Sequence, residues 1–270
     1  MPVVRIETID DPRLVDFRDV PDPVLLRERN LFVAEGRFVI ETLLRTDRFH
    51  VRALLLTEST HRHLADDLVS VDRDVPIYIV EPQHFRIGGY DFHRGYLAIA
   101  DRPEPVDATV LIEEVATDLP LVVLERIGNP DNIGGIFRNA AALGAAAVLL
   151  SPGCCDPLYR KAIRTAMGTT LRVPFAIADD WPSVLQRLRV SGYMVVALTP
   201  SDDATDVGAF VEKQNGATRV ALLLGTESSG LSAEALALAD ERVRIAIDQS
   251  VDSLNVATAT GIALHALRRA

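Results

Sequence analysis

Residues Leu121–Ser151 read LVVLERIGNPDNIGGIFRNAAALGAAAVLLS. Two short apolar runs, LVVLE and AVLLS, flank an Asn-Pro-Asp-Asn loop and an alanine-rich stretch of helical period. This is the pattern of a strand, a crossover helix and a second, parallel strand. The alternation continues downstream, with MVVAL (Met194–Leu198), VALLLG (Val220–Gly225) and VRIAI (Val243–Ile247) separated by helical segments. Strands this uniformly apolar belong to a parallel sheet covered on both faces. Ligands of such sheets sit beyond the carboxyl ends of the strands, so the loops after Glu125, Leu198, Gly225 and Ile247 are the candidate site.

Upstream, Asn30–Arg45, Val51–Thr60 and Val75–Phe85 alternate helical and strand patterns, which predicts a smaller α/β domain over residues 1–104. The stretch DRPEPVDATVLIEEVATD (Asp101–Asp118) is rich in Pro and acid and reads as a linker, 105–118, before a catalytic-type domain over 119–270. The chain has 270 residues and a net charge of −10, a balance that argues against nonspecific nucleic-acid binding but leaves room for a local basic patch. Arg27, Arg29, Arg37, Arg45, Arg48, Arg52 and Arg62, together with the acid-free stretch Leu158–Arg172, are where such a patch would lie. No apolar run is long enough for a membrane span and the start lacks a signal-peptide pattern, so a cytoplasmic protein is expected. Cys154 and Cys155, the only cysteines, are adjacent and suit neither a disulfide framework nor a zinc site. No metal is expected.

Three loops carry the candidate chemistry. In the first, a helix beginning near Asn132 would bury Ile133, Phe137, Ala140, Ala141 and Gly144. That leaves Arg138 off the buried stripe, flanked by Gly134, Gly135 and Ala142. Read alone, Arg138 is either a solvated arginine or a cation open to a ligand. In the second, LLLGTESSGLS (Leu222–Ser232), Gly225 and Gly230 permit close backbone approach, and Glu227 or Ser228 could instead cap a helix starting near Ser232. In the third, Asp252 or Ser253 can cap the C-terminal helix, with Asn255 in its first turn and Ala257, Thr258 and Gly261 on a small-residue face.

In this order, NIGGIFRNA, GTESSG and SLNVATATGIAL resemble the three motifs of the SpoU (TrmH-like) branch of the SPOUT methyltransferases, and FVAEGRFVIETLL resembles the L30e-like domain that often precedes them. The resemblance implies an α/β fold whose C-terminal parallel sheet carries a deep trefoil knot, preceded by the smaller L30e-like domain. It implies S-adenosylmethionine as cofactor, a homodimer with shared active sites, and methyl transfer to a ribose 2′-hydroxyl of RNA; ribosomal RNA is expected ahead of transfer RNA, though the sequence does not decide between them. Carried onto this sequence, the catalytic set is Asn132, Arg138, Glu227, Ser253 and Asn255. The cofactor would contact Leu198, Thr199, Gly225, Thr226, Glu227, Gly230, Ile245, Ile247, Leu254 and Asn255. A guanidinium stays protonated in proteins, so Arg138 is read as a fixed charge that binds phosphate and stabilises the developing alkoxide. Two positions depart from the family pattern: IAIDQSVD replaces the usual Ile-Pro-Met before the third motif, and Asn139 replaces the usual Thr after the arginine. The rival readings are a catalytically silent RNA-binding protein of the same fold and a tRNA ribose methyltransferase.

Overall fold

The computed structural model describes residues 1–8, 10–18, 21–82, 95–115, 118–214, 219–248 and 250–268. The chain forms two compact units, one of Met1–Glu104 with Pro157–Arg172, the other of Pro105–Asp156 with Val173–Ala270.

The first unit holds β1 (Val3–Arg5), α1 (Asp22–Glu28), β2 (Leu31–Glu35), α2 (Arg37–Leu44), β3 (Val51–Leu56), α3 (Glu58–His63), β4 (Ile77–Ile79) and β5 (Tyr96–Asp101). Its strands form a mixed sheet in the order β1-β4-β3-β5-β2, with β5 antiparallel to both of its neighbours. The predicted strand Val75–Phe85 is shorter than its apolar run, and residues 83–85 lie outside the described residues. Leu14, Leu25, Val33, Leu55, Leu97 and Ile99 close one core.

Pro157–Arg172 belongs with this first unit, not with the C-terminal domain to which the sequence reading assigned it. Its helix, Arg160–Thr165, starts with the Arg160 N–H donating to the Asp22 carboxylate at 2.9 Å. Gly168, at φ 82°, packs so closely that a Cβ there would lie 3.2 Å from the Val39 Cα. The acid-free composition of the segment gave no hint of this partner, because docking depends on contacts more than a hundred residues away in sequence.

The second unit begins with α4 (Ala108–Glu114), inside the expected linker. Asp107 caps it by accepting from the Thr109 and Val110 N–H groups at 2.7 and 3.1 Å, and Leu111 and Ile112 are buried in the main core. Then follow β6 (Leu121–Glu125), α5 (Pro130–Leu143), β7 (Ala147–Leu150), the α6 helix of the inserted segment already described, β8 (Phe175–Ile177), α7 (Ser183–Val190) and β9 (Met194–Leu198). The unit ends with β10 (Thr205–Asp206), α8 (Val207–Gln214), β11 (Val220–Gly225), α9 (Ala233–Leu238), β12 (Glu241–Arg244) and α10 (Val256–Leu267).

The sheet runs β10-β12-β9-β11-β6-β7-β8 and every pairing is parallel, as the apolar strand pattern requires. All five residues of β6 are buried. Leu121 and Val123 face a core shared with Leu111, Ile112, Leu185 and Leu188. On the other side of the sheet, Phe137 of α5 meets Phe175 edge-on at 5.7 Å between ring centroids. Strand β12 ends at Arg244, so the expected strand Val243–Ile247 stops early and Ile245 and Ile247 belong to the segment that follows. Strands β8 and β10 are too short to register as apolar runs.

Candidate functional site

Helix α5 starts earlier than Asn132: Asn129 is its cap, accepting from the Asp131 N–H at 2.9 Å, with Pro130 in the first turn. Freed from capping, Asn132 lies buried on the inner face with Ile133, Gly134, Ile136, Phe137 and Ala140. Ala141, expected in the buried stripe, is exposed. Arg138 points away from that face. It is exposed, and among the described residues it makes no hydrogen bond or ion pair.

Helix α10 is capped by neither Asp252 nor Ser253 but by Asn255, whose Oδ1 accepts from the Ala257 and Thr258 N–H groups at 3.0 and 3.2 Å. That cap fixes the rotamer and leaves the amide of the same side chain free to donate. Asn255 Nδ2 donates to Asn132 Oδ1 and to Glu227 Oε1, each at 2.8 Å. One side chain thus joins all three loops. Glu227 is held by that amide and caps nothing; helix α9 is capped by Ser232, whose Oγ accepts from the Ala235 N–H at 3.1 Å.

Helices α5 and α10 pack side by side through their small residues. A Cβ on Gly135 would lie 2.8 Å from the Ala257 Cβ, and one on Gly261 would lie 3.1 Å from Asn139 Nδ2. Asn139 Nδ2 donates to the Ala257 carbonyl at 2.6 Å, so the departure from threonine gives α5 a polar grip on the first turn of α10. The small-residue faces around Gly134 and Gly261 are therefore used within the chain.

The second loop folds back on itself. Gly230 N–H donates to the Thr226 carbonyl at 2.8 Å, Gly230 has φ 64°, and a Cβ on Gly225 would lie 2.3 Å from the Gly230 carbonyl carbon. Only glycine fits at 225. Beside this loop is a cavity of about 480 Å³ walled by Leu198, Leu231, Ile245, Ile247 and Leu254, with Thr199, Gly225, Thr226, Glu227, Gly230, Asp252 and Ser253 along it. Its size is that of a small-molecule site. Of the residues expected at the cofactor, only Asn255 is absent from the lining. Ser253 is exposed at the cavity and Asn132 is not part of its wall.

In the IAIDQSVD rim, Asp248 and Ser250 are tied together. Ser250 donates to Asp248 Oδ1 through its hydroxyl at 2.6 Å and its backbone N–H at 2.9 Å, which holds the Asp248 carboxyl below the usual carboxylate range. Gln249 lies outside the described residues. Burial pushes the Cys154 thiol up and Cys155 is buried, so both are packing residues here.

The sequence model of the SpoU rRNA Methylase family matches residues 120–265. The chain belongs to that family. As a SpoU protein it is an S-adenosylmethionine-dependent RNA methyltransferase, which is the activity that the three motifs imply. An uncharacterised tRNA/rRNA methyltransferase of Mycobacterium tuberculosis is 42% identical over 262 residues, covering 95% of this chain and 88% of the relative. RlmP of Bacillus subtilis, named a 23S rRNA guanosine-2′-O-methyltransferase, is 24% identical across 98% of this chain and 99% of its own. An AdoMet-bound rRNA methyltransferase from Sinorhizobium meliloti superposes with a TM-score of 0.84 at 26% identity, covering 99% of this chain and 98% of the other.

Sequence reasoning named Asn139, Ser232 and Glu125 but missed their contacts, and it missed Asn129 as the cap; the buried Glu125 accepts from Ser232 and Trp181. The Asn-Pro pair at 129–130 was a usable signal for the cap. Glu125 gave none, since a single acid closing an apolar strand looks like an ordinary strand end.

Proposed function

We propose that the second unit transfers a methyl group from S-adenosylmethionine to a ribose 2′-hydroxyl of ribosomal RNA. The observation that carries the proposal is the Asn255 amide shared between Asn132 and Glu227 beside the cavity, because it draws the three motifs into one place. Apolar walls with a polar, glycine-cradled rim fit an amphiphilic adenosyl cofactor. The cofactor, when bound, supplies a methyl already activated on a sulfonium.

The chain's own residues then have three tasks. Leu198, Ile245, Ile247 and Leu254 pack the adenosine, and the backbone of Gly225–Gly230 lines its polar side. Asn132, Glu227 and Asn255, with Ser253 at the rim, orient the ribose so that its O2′ lies in line for displacement, the step in which positioning counts most. Arg138, charged and unpaired, binds the phosphate beside the target and stabilises negative charge growing on O2′ as its proton departs to water.

The same reading includes a trefoil knot, supported by a sheet order in which β11 inserts between β6 and β9 before the chain returns to β12 and lays α10 on α5. It takes the first unit as an L30e-like RNA-binding domain, supported by its mixed sheet and its basic segment Pro157–Arg172. It takes the protein as a cytoplasmic homodimer; Ala141, Ala142 and Ile262 are exposed on α5 and α10 and would be covered by a second copy. Ribosomal RNA is favoured over transfer RNA by the likeness to RlmP, a 23S rRNA methyltransferase.

Alkaline hydrolysis tests the chemistry. RNA labelled from S-adenosylmethionine carrying a radioactive methyl should yield the label in alkali-resistant dinucleotides, because a 2′-O-methyl blocks cleavage of the neighbouring phosphodiester. Label recovered in mononucleotides would mean base methylation and would overturn the proposal.

A further inference from the structure

Glu125 is 2% exposed, forms no ion pair among the described residues, and takes no part in the chemistry just proposed. A buried carboxylate without a counter-ion is costly, and replacing it with an apolar residue would commonly stabilise a core. Its surroundings explain why it is kept. Oε2 accepts from the Ser232 backbone N–H at 2.8 Å, and Oε1 accepts from Ser232 Oγ at 2.7 Å and from Trp181 Nε1 at 3.1 Å.

The register of the sheet gives these bonds a consequence for the cavity. Glu125 ends β6 directly opposite Gly225, the residue at which β11 enters the second motif loop. Ser232 is the residue at which that loop leaves to begin α9. The carboxylate therefore pins the exit of the loop against its entry. Between those ends the chain closes a tight ring through the Gly230–Thr226 hydrogen bond and the contact of Gly225 with Gly230 and Leu231. If the exit slips, the backbone lining of the cavity slips with it.

We infer that Glu125 is a positioning residue that sets the shape of the Gly225–Leu231 loop, and so the affinity for the adenosyl cofactor, with Trp181 as a built-in reporter of the loop's state. The inference rests on reading the cavity as the S-adenosylmethionine site. Trp181 is the only tryptophan in the chain, and its indole N–H donates to the same oxygen that accepts from Ser232 Oγ, so ordering of the loop changes the polarity felt by the ring.

The test is calorimetric titration of S-adenosylmethionine into wild type and Glu125→Gln, with Trp181 emission followed in parallel and RNA affinity measured without cofactor. Glutamine keeps the shape but turns an N–H group toward a donor. The dissociation constant for the cofactor should rise at least about tenfold, as expected for spoiling a buried charged hydrogen bond. The emission change on cofactor binding should shrink, and RNA affinity should stay within about twofold of wild type, since the carboxylate lies beneath the loop rather than on the surface. A Glu125→Gln protein that melts at lower temperature yet binds the cofactor like wild type would make Glu125 a structural residue only and overturn the inference. If Glu125→Gln does not fold, Ser232→Ala, which removes one of the three donors, decides by the same comparison: weaker cofactor binding supports the inference and unchanged binding overturns it. Wild type that fails to bind S-adenosylmethionine would instead bring down the reading of the cavity, and the inference with it.

Discussion

Among its described residues the second unit holds both partnered and unpartnered arginines. Arg187 and Arg189 are paired with Glu113 and Asp240, and Arg219 lies over the Tyr193 ring at 4.0 Å, whereas Arg138 faces solvent unpaired from a helix bearing glycine and alanine around it. Arg138 stands on the first motif, where a ligand can reach it. Arg138→Ala should leave the melting temperature and cofactor affinity near wild type, because an exposed side chain contributes little packing. Its turnover on RNA should fall at least about a hundredfold, the scale of losing one preorganised charged donor. Arg138→Lys should recover little of that rate if the planar fork is needed, and a substantial part if a point charge suffices. Wild-type turnover by Arg138→Ala in a single-turnover assay would make this arginine a solvated surface charge. The position of Arg138 was legible in the sequence from helical spacing alone. The role of Asn255 was not, because Asp252, Ser253 and Asn255 are all competent caps and only the tertiary partners Asn132 and Glu227 distinguish them.

Among the elements, strands β6, β9 and β11 coincide with the apolar runs read from the sequence, since strands buried on both faces have no alternative composition. The Pro- and acid-rich stretch before them hid α4, whose apolar face amounts to little more than Leu111 and Ile112 and makes sense only against the core they enter. The loop after β11 is the element on which the cofactor site depends most. Gly225→Ala would put a methyl 2.3 Å from the Gly230 carbonyl carbon, an overlap that only backbone movement can relieve. Binding of S-adenosylmethionine by this variant should become undetectable at millimolar cofactor while its circular dichroism stays that of wild type, since the clash is confined to the loop. Intact cofactor affinity would show that the ring is not part of the pocket.

For the whole molecule, the assignment of Pro157–Arg172 to the first unit was beyond sequence reasoning, because it rests on Asp22 and Val39, far away along the chain. It brings Arg160, Lys161, Arg164 and Arg172 into the same unit as the other candidate RNA-binding arginines, and RNA affinity should accordingly fall as salt rises. Exposed Ile262 at 40% and the exposed alanines of α5 predict a dimer by light scattering at micromolar concentration; a monomer with intact turnover would remove the shared active site from the account. The most direct test of the central claim is mass-spectrometric mapping of ribose methylation in total RNA from cells with and without this protein. The account predicts that a 2′-O-methylated nucleotide in ribosomal RNA disappears with the protein and returns with wild type but not with Arg138→Ala. Unchanged ribose methylation, or loss of a methyl group from a base, would contradict it.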